Sequence, residues 1–260
     1  MKFAVAAVVA AFTITTAASA TEIVVTSPAG MFTNAGPTNA TGPGAGYDTW
    51  FANNVRNGGS VGITSVYQDG GNGAVQFSGP ANAKADLEYY FSTPNQFLLS
   101  DLTALSFDFL RSSTSTAASH LHPSMRLYVD DGAGKAGYLV YEGIYNGATP
   151  FASDVFVSID VLPAKIWSTN TLPNPAANYT RTAADWAALV PNLKVTGLSF
   201  GIGSGWAGTF DGAVDKVTFG VNGVNTTFNF EAAEVPEPAM LGLFGLGAMG
   251  LGLARRRRRA

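Results

Sequence analysis

The sequence predicts an all-β protein, an antiparallel β-sandwich with one short helix, flanked by an N-terminal signal peptide and a C-terminal transmembrane helix. Three observations predict it. Short β-branched and aromatic runs recur from Trp50 onward between Gly, Asn, Asp and Pro clusters. Several runs alternate apolar with polar residues, the two-residue period of a half-buried strand. Each end of the chain carries an apolar run beside basic residues, Lys2 at one and Arg255 to Arg259 at the other.

Met1 and Lys2, the apolar run Phe3 to Ile14, and the small residues through Ser19 and Ala20 have the three-part layout of a secretory signal peptide over residues 1–20. Ala18 and Ala20 mark the cleavage site, so the mature chain begins at Thr21. An uncleaved anchor would need about 18 apolar residues, more than this run supplies.

Residues 21–49 hold a short apolar segment, Ile23-Val24-Val25, and then a loop from Ser27 to Gly46 rich in Gly, Pro, Asn and Thr. Residues 50–234 are the sandwich. Its candidate strands are Val61–Tyr67, Ala74–Ser78, Asp86–Phe91, Ala104–Leu110, Ser124–Asp130, Tyr138–Glu142, Val155–Asp160, Val195–Gly201, Ala213–Gly220 and Thr226–Glu231. In Leu105-Ser106-Phe107-Asp108-Phe109 the apolar residues fall on one face, as do Met125, Leu127 and Val129 opposite Arg126, Tyr128 and Asp130. Asp131-Gly132-Ala133-Gly134 supplies a turn. A capping box, Thr182 to Asp185, opens a helix that Pro191 stops after Trp186 to Val190.

Residues 235–260 are the C-terminal segment. Val235-Pro236-Glu237-Pro238 precedes an apolar run, Ala239 to Ala254, closed by Arg255, Arg256, Arg257, Arg258 and Arg259. As a helix this run reaches roughly 24 Å, a marginal span for a hydrocarbon core about 30 Å thick. The arginines stay on the cytoplasmic side, leaving the preceding chain outside. Together these three elements resemble the PEP-CTERM sorting tail of exported proteins in Gram-negative bacteria that make extracellular polysaccharide. The resemblance implies passage through the secretion translocon, a transient inner-membrane anchor, and processing near Pro236-Glu237-Pro238 by an exosortase-type membrane protease. The destination it implies is the cell surface or extracellular matrix. Some groupings give the same tail an ice-binding label. An ordinary tail anchor would have the same topology.

The segments Leu105 to Phe109, Arg126 to Val129, Gly137 to Gly147, Gly203 to Phe219 and Thr227 to Glu231 resemble a jelly-roll ectodomain, laminin-B-like or carbohydrate-binding-like. That resemblance implies architecture more than activity. It also implies a structural calcium near the closing strands, with Asp211 and Asp215 as candidate ligands on one strand face and Asp69 and Asp48 as residues the fold could bring alongside.

Without Lys2 and the five tail arginines, 9 Lys plus Arg face 18 Asp plus Glu, a net charge of −9. An acidic ectodomain argues against a nucleic-acid partner. Cysteine is absent, which excludes disulfides and thiolate metal sites. The motifs Gly132-Ala-Gly134-Lys-Ala-Gly137 and Gly203-Ser-Gly205-Trp-Ala-Gly208 match a dinucleotide pattern, but each leads into a strand where that pattern needs a helix. His120 and His122 could share a strand face around a metal, although a loop pair before Pro123 reads as polar surface. Glu88 with Glu142 could serve glycoside hydrolysis only at a suitable separation. Trp50, Tyr89, Tyr90, Tyr138, Tyr141, Tyr145, Trp167, Trp186 and Trp206 divide between core and any sugar-stacking surface in a way the sequence leaves open. The expected function is a non-enzymatic surface protein in structural or glycan contacts. The alternatives are a secreted polysaccharide-acting enzyme, or a matrix packing or ice-binding protein without a specific soluble ligand.

Overall fold

The computed structural model describes residues 20–26, 46–147, 149–169, 172 and 179–233. Ala18, the loop at 27–45, the motif Val235 to Pro238, the apolar tail and Arg255 to Arg259 lie outside the described residues. Among the described residues no helix is long and apolar enough to cross a membrane.

In chain order the elements are β1 (Ala20–Val25), β2 (Trp50–Arg56), β3 (Ser60–Thr64), β4 (Ala74–Gly79), β5 (Lys84–Tyr90), β6 (Phe97–Leu98), β7 (Leu102–Arg111), β8 (Ser124–Asp130), β9 (Ala136–Tyr141), β10 (Val157–Asp160), β11 (Ile166–Ser168), α1 (Ala183–Leu189), β12 (Lys194–Ile202), β13 (Phe210–Val221) and β14 (Val224–Phe230). They form two layers. In the first sheet β13 is the spine, with β7 on one side and β10 beyond it. On its other side β4 pairs with Phe210–Val214 and β14 with Val217–Val221, so two strands succeed each other along one edge. β3 extends β4, and β1 lies parallel to β14. The second sheet runs β11-β9-β8-β12-β5-β2, with β6 beside the start of β12. Every other pairing is antiparallel, as expected of a sandwich.

The alternation read from the sequence decides what faces inward. Leu105, Phe107 and Phe109 of β7, Met125, Leu127 and Val129 of β8, and Leu198, Phe200 and Ile202 of β12 are all buried in one core. Phe107 meets Phe200 across the layers at 5.1 Å, and Trp50 meets Phe228 and Phe230 edge-on at 5.3 Å each. Each such side chain contributes up to about 1.5–3 kcal/mol on burial. The capping box forms as predicted, Thr182 Oγ1 accepting from Asp185 N while Asp185 Oδ2 accepts from Thr182 N. It starts α1, whose fully buried Trp186 donates from Nε1 to the Ile166 carbonyl at 2.9 Å.

Each predicted strand is present, its ends moved by up to three residues. β2 escapes the sequence reading because Asn53 and Asn54 interrupt its pattern. Asn54 has φ 55°, and the register with β5 shifts between Asn53 and Arg56, the signs of a bulge. β6 and β11 are too short to display a period.

Candidate functional site

The outer face of the second sheet is built around the central strand β12. Past the bulge at Thr196 its inward residues are large, and outward it presents Gly197, Ser199 and Gly201. The register sets Tyr90, Gly197 and Tyr128 in one row, and Glu88, Ser199 and Arg126 in the next. A Cβ on Gly197 would come within 2.9 Å of the Tyr128 ring, so glycine lets the two tyrosines meet over it. Their rings stack at 4.7 Å and 10°. Phe51 stacks on Tyr90, and Tyr138 meets Tyr128 edge-on.

Beside the rings lies a charged network. Arg126 donates to Asp86 Oδ1 at 2.9 Å and to Ser199 Oγ at 3.2 Å, while Lys84 ion-pairs with Asp86. Asn54 Nδ2 donates to Asp86 Oδ2 at 2.9 Å. Glu88 accepts from Tyr128 at 2.6 Å and from Asn53 at 3.0 Å. Burial and the neighbouring Arg126 charge bring Lys84 down to about 8. Burial raises the Glu88 carboxyl. Burial would also raise Asp86, but the Arg126 and Lys84 charges outweigh it and hold that carboxyl below its ordinary value. Such a split marks many acid–base pairs. Here, however, both side chains are nearly inaccessible and bonded within the sheet, so the network fixes the face instead of presenting a reactive group. Sequence reading missed it, although Lys84-Ala85-Asp86-Leu87-Glu88 carries the signal, a charge at every second position.

The sequence-derived candidates scatter. Glu88 lies on β5 and Glu142 follows β9, three strand spacings away, roughly 14 Å across the sheet and beyond hydrolase separations. Glu142 instead accepts from Trp167 Nε1 at 2.9 Å. The polar-surface reading of the histidines holds only for His120. His122 is buried against Phe109 and Phe151, with both ring nitrogens occupied by the Pro123 carbonyl and the Gly143 N–H at 2.9 Å each. That leaves neither nitrogen for a metal. Asp211 and Asp215 share β13, but Asp211 is taken by Tyr67 and Gln76 at 2.8 Å each. Asp48 is also elsewhere, accepting from Ser92 N and Asn95 Nδ2 at 3.1 Å each. Among the described residues no group of three His, Asp or Glu side chains stands ready to hold a metal. The first glycine-rich motif spans the β8–β9 turn and ends inside β9 at Gly137, and the second lies in the connection from β12 to β13. Trp50, Tyr141 and Trp186 belong to the core, whereas Tyr145 is exposed beside Tyr179 and the half-buried Trp167.

A cleft of about 590 Å³ opens at the end of the sandwich where the layers part. One wall comes from Tyr89, Phe91, Phe97 and Lys194 of the second sheet and its connections, the other from Ile23, Phe219, Val221, Thr226 and Phe228 of the first. Phe91 contacts Tyr89, Phe97 and Phe219 at 5.2–5.4 Å, so the floor is aromatic. Asp48, Asn95, Gln96, Asp101 and Lys194 give a polar rim. Burial and then the Asp48 charge push the Tyr89 phenol up to about 12, leaving a neutral hydroxyl. The opening has the size of a small-ligand site, and its lining combines aromatic side chains with hydrogen-bonding groups.

Fold and cleft define a two-layer antiparallel β-sandwich with a ligand-sized opening at one end. Residues 234–259 match the PEP-CTERM protein-sorting motif, so the chain carries the sorting tail that its sequence pattern resembles. No match is found among curated proteins. Among solved structures, the family 11 carbohydrate-binding module of a cellulosomal cellulase from Clostridium thermocellum is 14% identical, with a TM-score of 0.37 over 73% of this chain and 94% of that one. A structure from a study of carbohydrate-binding modules of the β-sandwich superfamily is 13% identical, with a TM-score of 0.32 over 66% of this chain. The chain spans little more than half, 56%, of that structure.

Proposed function

We propose that this is an exported, non-enzymatic surface protein whose sandwich contacts an extracellular glycan through the cleft between its layers. The observation that carries the reading is the cleft's lining. Sugars offer apolar C–H faces to aromatic rings and hydroxyls to polar rims, and here both kinds of group border one opening. The net charge of −9 over Thr21 to Glu237 repels polyanions, which favours a neutral glycan. In this reading Asp48 binds and does not donate a proton. Burial would raise its carboxyl, but hydrogen bonds from Ser92 and Asn95 prevail and keep it below its ordinary value.

The sorting motif supports the rest of the route: export through the Ala20 site, a pause in the inner membrane, cleavage by an exosortase-type protease, and release to the surface or matrix. A glycan array on the purified protein tests the binding. The expected result is retention of neutral polysaccharide that weakens tenfold or more, at least about 1.4 kcal/mol, in Lys194→Ala and Gln96→Ala. Tyr145→Ala should bind normally. Binding unaffected by both rim substitutions would refute the site, and release of shortened sugars would refute the non-enzymatic role.

A further inference from the structure

On the outer face of the first sheet, away from the cleft, carboxyl groups gather with too few donors. Asp215 on β13 and Asp108 on β7 are direct cross-strand partners, a position where like charges repel. Asp215 is 0% exposed. Its Oδ1 accepts from Lys216 N and Phe230 N at 2.8 Å each, but its Oδ2 has no partner.

The connection from β3 to β4 lies across this point. Tyr67 ties it to Asp211, and Asn72 N donates to Glu231 Oε2. A Cβ on Gly73 would fall 2.4 Å from Ala232 N, so glycine lets the connection lie flat against the chain leaving β14. Between the two ties Asp69 pairs with Lys216 Nζ at 3.2 Å, and its carboxyl comes into hydrogen-bond contact with that of Asp108. Two ionised carboxylates have no donor to offer each other, and the buried Oδ2 of Asp69 has no partner either. β10 sets the Ser158 hydroxyl opposite Asp108 and, two residues along, Asp160. Against Asp69, Asp108, Asp215 and Glu231 the ammonium of Lys216 is a single charge. Carboxyls held this close relieve their repulsion by keeping a proton.

We propose that Asp69, Asp108 and Asp215 form a proton-held latch: protons kept on Asp108 and Asp215 fasten the β3–β4 connection to the first sheet, and their loss loosens it. The unfolded chain has no reason to keep those protons above the ordinary carboxyl value of 3.8. In the folded chain burial, and after it contact with Asp69, push Asp108 up to about 6. Burial pushes Asp215 up to about 7 against the two backbone hydrogen bonds, and the Asp69 and Glu231 charges add to the rise. The native state therefore holds protons that the unfolded state has lost, so the latch is closed in acid and opens as pH rises through those values.

The test compares the full chain with Asp108→Asn and Asp215→Asn, whose amides stay neutral at every pH. Exchange of the Asn72 amide, corrected for its intrinsic pH dependence, and the melting temperature are followed from about pH 5 to about pH 8.5 in chelator. In wild type Asn72 should exchange tenfold or more faster at the upper end. Each variant should shrink that change, and the double variant remove it. The melting temperature of each variant relative to wild type should climb by about 3 °C or more across the range, whereas a merely structural role would shift it equally at every pH. If Asp215→Asn does not fold, Asp108→Asn decides alone. Asn72 protection indifferent to pH in wild type, or a pH response kept in full by Asp108→Asn, would overturn the proposal.

Discussion

Acidification should weaken this protein through His122. The ring is wholly buried, stacked on Phe109 at 4.8 Å and met edge-on by Phe151 at 5.1 Å. The Gly143 N–H donates to Nε2, so that nitrogen must be the acceptor, and Nδ1 carries the proton toward the Pro123 carbonyl. Protonating Nε2 would set two N–H groups against each other inside the core. Burial accordingly lowers the imidazole from its ordinary 6.5 to about 4. Above pH 6.5 neither folded nor unfolded chain is protonated here, and the neutral ring contributes its full stability. Between 6.5 and about 4 the unfolded chain takes up a proton that the native state refuses, at about 1.4 kcal/mol per pH unit. The loss sums to about 3 kcal/mol.

Asp215 and Asp108 titrate in the opposite sense, since their raised carboxyls take protons first in the folded state as pH falls. The His122 effect is therefore read as a difference from His122→Gln, which keeps an acceptor for Gly143 and does not titrate. Urea unfolding followed by tryptophan fluorescence, in chelator, gives both stabilities. From about pH 7.5 to about pH 4.5 the wild-type advantage should narrow by about 2.5 kcal/mol. An advantage constant to within about 0.5 kcal/mol, or one that widens, would refute a neutral buried imidazole.

Gly201→Ala places a Cβ against Asp86 Oδ1 and 3.0 Å from Arg126, so it should cost about 1–3 kcal/mol in thermal unfolding. Ser199→Ala, which removes one hydrogen-bond acceptor of Arg126, should cost less. Processing near Pro236-Glu237-Pro238 should yield a surface form whose mass ends there. Peptides running intact from the sandwich through Pro238 into Leu241 would show that the tail is kept.

The two-residue period made most of the sandwich legible. In β7 and β8 alternate residues face opposite sides whatever the rest of the chain does, so Phe107 and Leu127 could be assigned to a core before any partner was known. Capping is local for the same reason, and Thr182 with Asp185 was enough to start α1. The two asparagines hid β2 because a bulge held in place by β5 overrides their low strand preference. His122 shows the limit within a single motif: flanked by Leu121 and Pro123 it reads as a polar loop, yet Phe109, Tyr141 and Phe151, distant in sequence, enclose it.

By itself the sequence determined the properties carried by contiguous residues: strand faces, the helix start, the net charge, and the sorting motif at the C-terminal end. Tertiary structure alone decided which outward residues became neighbours. Asp215 became the cross-strand partner of Asp108, and Tyr89 met Phe228 across the layers at 5.1 Å, because strand order and register set those distances. Pairing is a long-range choice, made by burying apolar faces from both sheets together, and no local pattern records which strand lies beside which.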